Sequence, residues 1–99
     1  MLKHIVAWNH KDIFSSDEKL LNAEKIKEEL ESLKSLIPEI VEIKVTVNPV
    51  SSSNRDVVLY SLFGSEDDLK RYQVHPEHKR VSAFVGSVMQ DRICLDFYE

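Results

Sequence analysis

The residues with the most chemical potential stand in one heptad, YQVHPEH, where Tyr72 is followed three and six residues later by His75 and His78. A neutral imidazole accepts a proton near physiological pH, and a phenol donates a hydrogen bond to an oxygen that gains charge. A base and a donor this close in sequence could serve one active site. The same letters also suit a corner between two helices, with Pro76 opening the second. A further imidazole, His4, lies near the N-terminus. Which reading applies depends on the elements that carry the three side chains.

The 99 residues, 42% of them hydrophobic, suffice for one domain over 1-99 with a core of its own. A formal charge of −4, from 17 acidic and 13 basic residues, offers no electrostatic footprint for nucleic acid or an anionic membrane. The single cysteine, Cys94, can close no intrachain disulfide, so a cytoplasmic, reducing setting is expected. In MLKHIVAWNHKD the apolar run is broken too soon for a signal peptide or a membrane span.

Lys3 to Asn9 alternates as a strand, with His4, Val6 and Trp8 on one face. Ser15 and Glu18 form a capping-box pattern ahead of Ala23, Ile26, Leu30, Leu33 and Ile37, an amphipathic helix that must stop near Pro38. Ile40 to Val47 reads as a second strand, with Val41, Ile43, Val45 and Val47 on its apolar face. After the turn-rich NPVSSSNRD, the run VVLYSLF is apolar on nearly every residue, as a central strand buried on both faces would be. Ser65 caps a helical segment with Asp68 at the box position and Leu69 and Tyr72 on its apolar side. Pro76 then opens a helix with Val81, Phe84, Val85 and Val88 as its stripe, and Arg92 to Tyr98 is the last strand. The order is β-α-β-β-α-β: an α+β, ferredoxin-like protomer whose antiparallel four-stranded sheet carries helices on one face. Val41 to Val47 and the apolar third strand hold more apolar surface than one layer of helices consumes, so a homodimer through the other sheet face is expected.

Each candidate has a structural reading beside its chemical one. His78 either faces a cavity as a base or satisfies a backbone group at a helix start, and His75 before a proline is a cap or corner residue. Tyr72 is a core aromatic or a ligand donor, and His4 is a partnered polar group on a buried face or a third catalytic side chain. Trp8, Leu30, Leu59 and Phe84 decide by their bulk whether a small apolar cavity persists between sheet and helices. His4, His75 and His78 lack an acidic or thiol ligand at a characteristic spacing, so no metal is expected. Cys94, between Ile93 and Leu95, reads as an inert buried hydrophobe. Glu66, Asp67 and Asp68 complement a helix dipole.

The opening KHIV, the stretch FGSEDDLKRY leading into HPEH and the closing aromatic strand together resemble the stress-responsive A/B barrel domain family, over nearly the whole chain. That resemblance implies a ferredoxin-like protomer, a homodimer closing a dimeric α+β barrel between two sheets, and no obligatory cofactor. It also implies a link to plant polyketide cyclases similar to this family. There a histidine base and a hydrogen-bonding tyrosine drive intramolecular aldol closure, and by motif match those roles fall on His78 and Tyr72, with His4 nearby. The resemblance leaves two functions to weigh: a module holding a small apolar metabolite, and a cyclase or lyase-type enzyme acting on a polyketide-like ligand.

Overall fold

In a computed structural model that describes all of residues 1–99, four strands and three helices form two layers. In chain order they are β1 (Leu2–His10), α1 (Ser16–Ser32, continued by a 3-10 turn over Leu33–Ser35), β2 (Glu42–Thr46), β3 (Val57–Phe63), α2 (Glu66–Val74), α3 (Pro76–Val88) and β4 (Met89–Tyr98). The sheet order is β2-β3-β1-β4, with every neighbouring pair antiparallel.

Local chemistry sets the helix starts. The Ser15 hydroxyl accepts from the Glu18 N–H at 3.2 Å while the Glu18 carboxylate accepts from the Ser15 N–H at 2.9 Å, so the capping box is complete. Ala23, Ile26, Leu30 and Leu33 then recur on the buried side and lay α1 against the sheet. Ser65 caps α2 by accepting from the Asp68 N–H at 3.1 Å. His75 closes α2 and caps α3 in an extended conformation (φ −63°, ψ 136°), the geometry that a following proline favours.

Alternation divides the sheet cleanly. Val45 on β2, Val57, Leu59 and Phe63 on β3, and Leu2, Val6 and Trp8 on β1 are buried under the helices. The opposite face carries Ile5, Val58, Tyr60 and Leu62, with Ile93, Leu95 and Phe97 exposed at its β4 side. The apolar excess therefore lies on β1, β3 and β4: the third strand contributes to it as expected, and the second does not. Ile43, Val45 and Val47 face the helices, while Val41 is exposed ahead of the strand.

One irregularity governs β4. Ala7 pairs with Ile93 but Asn9 pairs with Gln90, so Asp91 and Arg92 together oppose Trp8, and Asp91 takes a left-handed φ of 56°. This is a β-bulge, and one extra residue inverts the facing of everything beyond it. Met89 points toward the helices; without the bulge Ile93, Leu95 and Phe97 would follow it. With the bulge, Arg92, Cys94 and Asp96 face the helix side instead. Asn9 Nδ2 donates to Asp91 Oδ2 at 3.2 Å, and Arg55 Nε to the Asp91 carbonyl at 3.0 Å, which holds the bulge in place.

A β-branched residue is strained at a left-handed φ, whereas glycine is not. Asp91→Val is expected to lower unfolding free energy by about 1–2 kcal/mol in urea titrations, while Asp91→Gly stays within about 0.5 kcal/mol of the parent.

Candidate functional site

The sheet and helices do not fill the space between them. A cavity of about 140 Å³ is bounded by His4, Val6 and Trp8 from β1, Leu59 from β3 and Leu30 from α1. Its remaining walls are Tyr72 and Gln73 of α2, His78, Ser82, Val85 and Gly86 of α3, and Arg92 just past the bulge. Trp8, Leu30 and Leu59 line it; Phe84 does not. Phe84 sits on the flank of α3 between the buried Val81 and Val85, and its ring lies under the Lys25 ammonium of α1 at 4.2 Å. Its place is the seam between the two helices.

Tyr72, His78 and His4 converge on this cavity. The Tyr72 ring lies 4.4 Å from that of His78 and 6.4 Å from that of His4, centroid to centroid. Phe63 supports Tyr72 at 4.9 Å and meets His4 edge-on at 6.3 Å. Tyr72 is fully buried, and its hydroxyl has no hydrogen-bond partner within the protein. Burial raises its pKa well above the usual phenol range, so the group stays a neutral donor.

His78 projects from the first turn of α3, where Pro76 occupies the opening position and the His75 Nδ1 accepts from the Glu77 N–H at 3.1 Å. The His78 Nδ1 lies 3.1 Å from the Gln73 carbonyl, which can only accept, so Nδ1 carries the proton and Nε2 is left as an acceptor. Burial lowers the His78 pKa; the Gln73 carbonyl works against this, and the charges of His4, Arg92 and His75 reinforce it. The side chain is therefore neutral at pH 7.

His4 is buried, and its Nδ1 is hydrogen-bonded to Asp96 Oδ1 across the β1–β4 pair. Cys94 is exposed and is not the buried hydrophobe expected from its neighbours, because β4 is an edge strand that extends beyond the helix layer. Its Sγ lies 3.8 Å from His4 Nδ1 and 3.6 Å from Asp96 Oδ1. Partial burial, followed by the Asp96 charge and hydrogen bond, raises the thiol pKa. His75 is occupied as a helix cap and does not join His4, whose thiol and carboxylate neighbours come from β4. Arg92, Gln73, Gly86 and Asp96 escaped the sequence reading. Only the position of the bulge would have disclosed Arg92 and Asp96.

The Stress responsive A/B Barrel Domain profile matches residues 2–99. A dimeric protein of unknown function and ferredoxin-like fold from Bacteroides fragilis is similar at 33% identity with a TM-score of 0.92, covering 99% of this chain and 95% of that one. A Dabb family protein of ferredoxin-like fold from Mesorhizobium loti is similar in fold, at 17% identity and a TM-score of 0.75, over 99% and 95% of the two chains. The hydroxynitrile lyase of Passiflora edulis is similar in fold as well, at 17% identity and a TM-score of 0.80, over 97% and 90%. No match was found among curated proteins. No helix is long and apolar enough to cross a membrane.

His78 and His10 both have pKa values lowered by burial, so near pH 6 the unfolded chain binds more protons than the folded one. Their contribution to stability is complete above the ordinary imidazole value and is lost as pH falls through the lowered folded values. The urea midpoint is therefore expected to drop between pH 7.5 and pH 5, and His78→Gln to flatten part of that slope while His10 supplies the remainder.

Proposed function

The chain belongs to the stress-responsive A/B barrel domain family, and from that footing we propose that it acts as a homodimer holding a small, ring-sized organic molecule between sheet and helices. The observation that carries this reading is the Tyr72 hydroxyl, buried without a protein partner on a side chain that lines the cavity. An unmade hydrogen bond of this kind costs about 1–3 kcal/mol, a cost that a ligand oxygen would remove. Gly86 supports the same reading. A Cβ there would meet nothing within 4 Å, so no packing within the protein accounts for a helix-weakening glycine in the cavity wall. The volume of about 140 Å³ resembles the ~150 Å³ void that accepts a benzene ring. A cyclic ketone or phenol has the matching size, with an apolar body for Trp8, Leu30 and Leu59 and one oxygen for Tyr72. The free thiol suits a reducing setting such as the cytoplasm.

Trp8 is the only tryptophan and lies in the cavity wall, so its fluorescence would report ligand binding directly. Titration with a panel of monocyclic ketones and phenols is expected to give saturable quenching. Tyr72→Phe should weaken the best ligand about fivefold, the worth of roughly 1 kcal/mol for one neutral hydrogen bond, while keeping or raising the melting temperature. Quenching that no compound saturates would remove the binding reading.

A second reading, a cyclase or lyase-type enzyme, rests on His78. Its Nε2 is a free acceptor on a neutral ring beside the Tyr72 phenol. In that reading Nε2 takes a proton α to a carbonyl, and the phenol donates to the enolate oxygen. The carbanion then attacks a second carbonyl to close a ring, and the proton returns to the new alkoxide. His78→Ala would abolish turnover of an activated linear polyketide-like substrate while leaving binding of cyclic ligands in place.

For the dimer, the exposed apolar row Ile93, Leu95 and Phe97, beside Ile5, Val58, Tyr60 and Leu62, offers a self-complementary sheet face. The similar Bacteroides fragilis protein is described as dimeric. Light scattering at micromolar concentration is expected to give the mass of two chains, and Leu95→Glu to give one, through an unpaired charge in the buried face. A parent protein that scatters as a monomer would end the barrel proposal.

A further inference from the structure

His4, Cys94 and Asp96 bring an imidazole nitrogen, a thiol and a carboxylate within 4.8 Å of one another. Cys94 and Asp96 lie some ninety residues from His4 in sequence, and the assembly comes from strand pairing alone. His4 stands opposite Asp96, while Cys94 pairs with Val6 two residues along, so all three side chains leave the same face of the β1–β4 ladder. We propose that these residues form a site for one divalent transition-metal ion of the zinc class, beside the cavity and distinct from the Tyr72–His78 pair.

The donor set is of the right kind. Thiolate and imidazole together select zinc or a similar borderline-soft ion over magnesium or calcium, and three protein ligands leave a fourth position for water or an exogenous ligand. The spacing fits as well. Donors held tetrahedrally at zinc-type bond lengths of 2.0–2.3 Å lie about 3.6 Å apart. Cys94 Sγ is 3.8 Å from His4 Nδ1 and 3.6 Å from Asp96 Oδ1. Nδ1 and Oδ1 currently share a hydrogen bond, and the ion would replace that proton as the half-exposed Asp96 carboxylate turns outward. His4 is 3% exposed and braced by Phe63 and Tyr72, so the ligand hardest to position is already fixed. Thiolate and carboxylate together match the two positive charges of the ion. Both polar contacts of the imidazole run through Nδ1, so a bound ion would leave Nε2 free. Arg92, two residues before Cys94 on the same face and in the cavity wall, would favour an anionic group in the fourth position.

Because Cys94 is the only cysteine, a thiolate-to-metal signal can arise from no other place in the chain. Chelator-stripped protein titrated with Co(II) alone is expected to bind one ion per chain, with a thiolate-to-cobalt charge-transfer band in the near ultraviolet that zinc then bleaches. Cys94→Ser should lose the band. Asp96→Asn should keep it with affinity weakened at least about tenfold, the lower end of what loss of even an outer-sphere partner costs. Cys94 and Asp96 are exposed, so far-ultraviolet circular dichroism of both variants should match the parent. His78→Gln should bind cobalt like the parent, which separates this site from the Tyr72–His78 pair. Absence of the band at stoichiometric cobalt in the parent, or Cys94→Ser binding as tightly as the parent, overturns the proposal.

Discussion

The arrangement of polar groups in this protein depends on one extra residue in an edge strand. A strand presents its side chains to alternate faces, and no smaller adjustment than a single-residue insertion can exchange the two sets. Asp91 supplies that insertion at a left-handed φ of 56°. Downstream of it, Ile93, Leu95 and Phe97 turn to the outer face, and Arg92, Cys94 and Asp96 turn toward the helices. The apolar row that needs a cover and the polar row that partners His4 are therefore two consequences of the same backbone event. Bulges concentrate at sheet edges and beside functional sites because there the strand can bend without breaking a central ladder.

The polar groups inside the protein are unequally satisfied, and the inequality is informative. Ser61, fully buried on β3, donates to the His4 carbonyl at 3.0 Å, and His4 itself reaches Asp96. These groups have what burial demands. Tyr72 does not, although Phe63, His4 and His78 pack around its ring. A core selected for stability alone would favour phenylalanine at that position, since the hydroxyl is desolvated without return. Retaining it keeps an unpartnered donor beside a neutral imidazole whose proton is committed to Gln73.

The helix layer also protects one edge of the sheet. Glu31 of α1 accepts from the Val45 N–H at 2.9 Å and Lys27 donates to the Val45 carbonyl at 2.8 Å, so side chains satisfy both backbone groups of Val45 on the free rim of β2. Arg80 of α3 reaches Glu29 of α1 at 2.9 Å and ties the two long helices together over the core. On the far side of the sheet nothing within the protomer plays the covering part. Asymmetry of this sort, one layer sealed and the other bare, is how a two-layer protomer is prepared for a partner.

Much of the architecture was legible in the letters because it rests on local rules. The capping box of Ser15 and Glu18, the proline that opens α3, the spacing of Ile26, Leu30 and Leu33 and the two-sided apolar character of VVLYSLF each act within a few residues. Tyr72, His78 and His4 share one cavity, a nearness that helix direction and strand facing make legible. Phe84 was misjudged because four-residue helical spacing cannot distinguish a side chain aimed at the sheet from one aimed at the neighbouring helix. Cys94 was misjudged because its flanking residues announce a strand but not whether a helix lies above it. The meeting of His4 with Asp96 and Cys94, across some ninety residues of chain, depended on antiparallel register and on a left-handed turn at an ordinary aspartate. Sequence by itself determined the elements and their apolar faces, since these follow from propensity and period. Tertiary structure decided the facing of the last strand and the membership of the site, because pairing register is a property of two strands together and is written in neither alone.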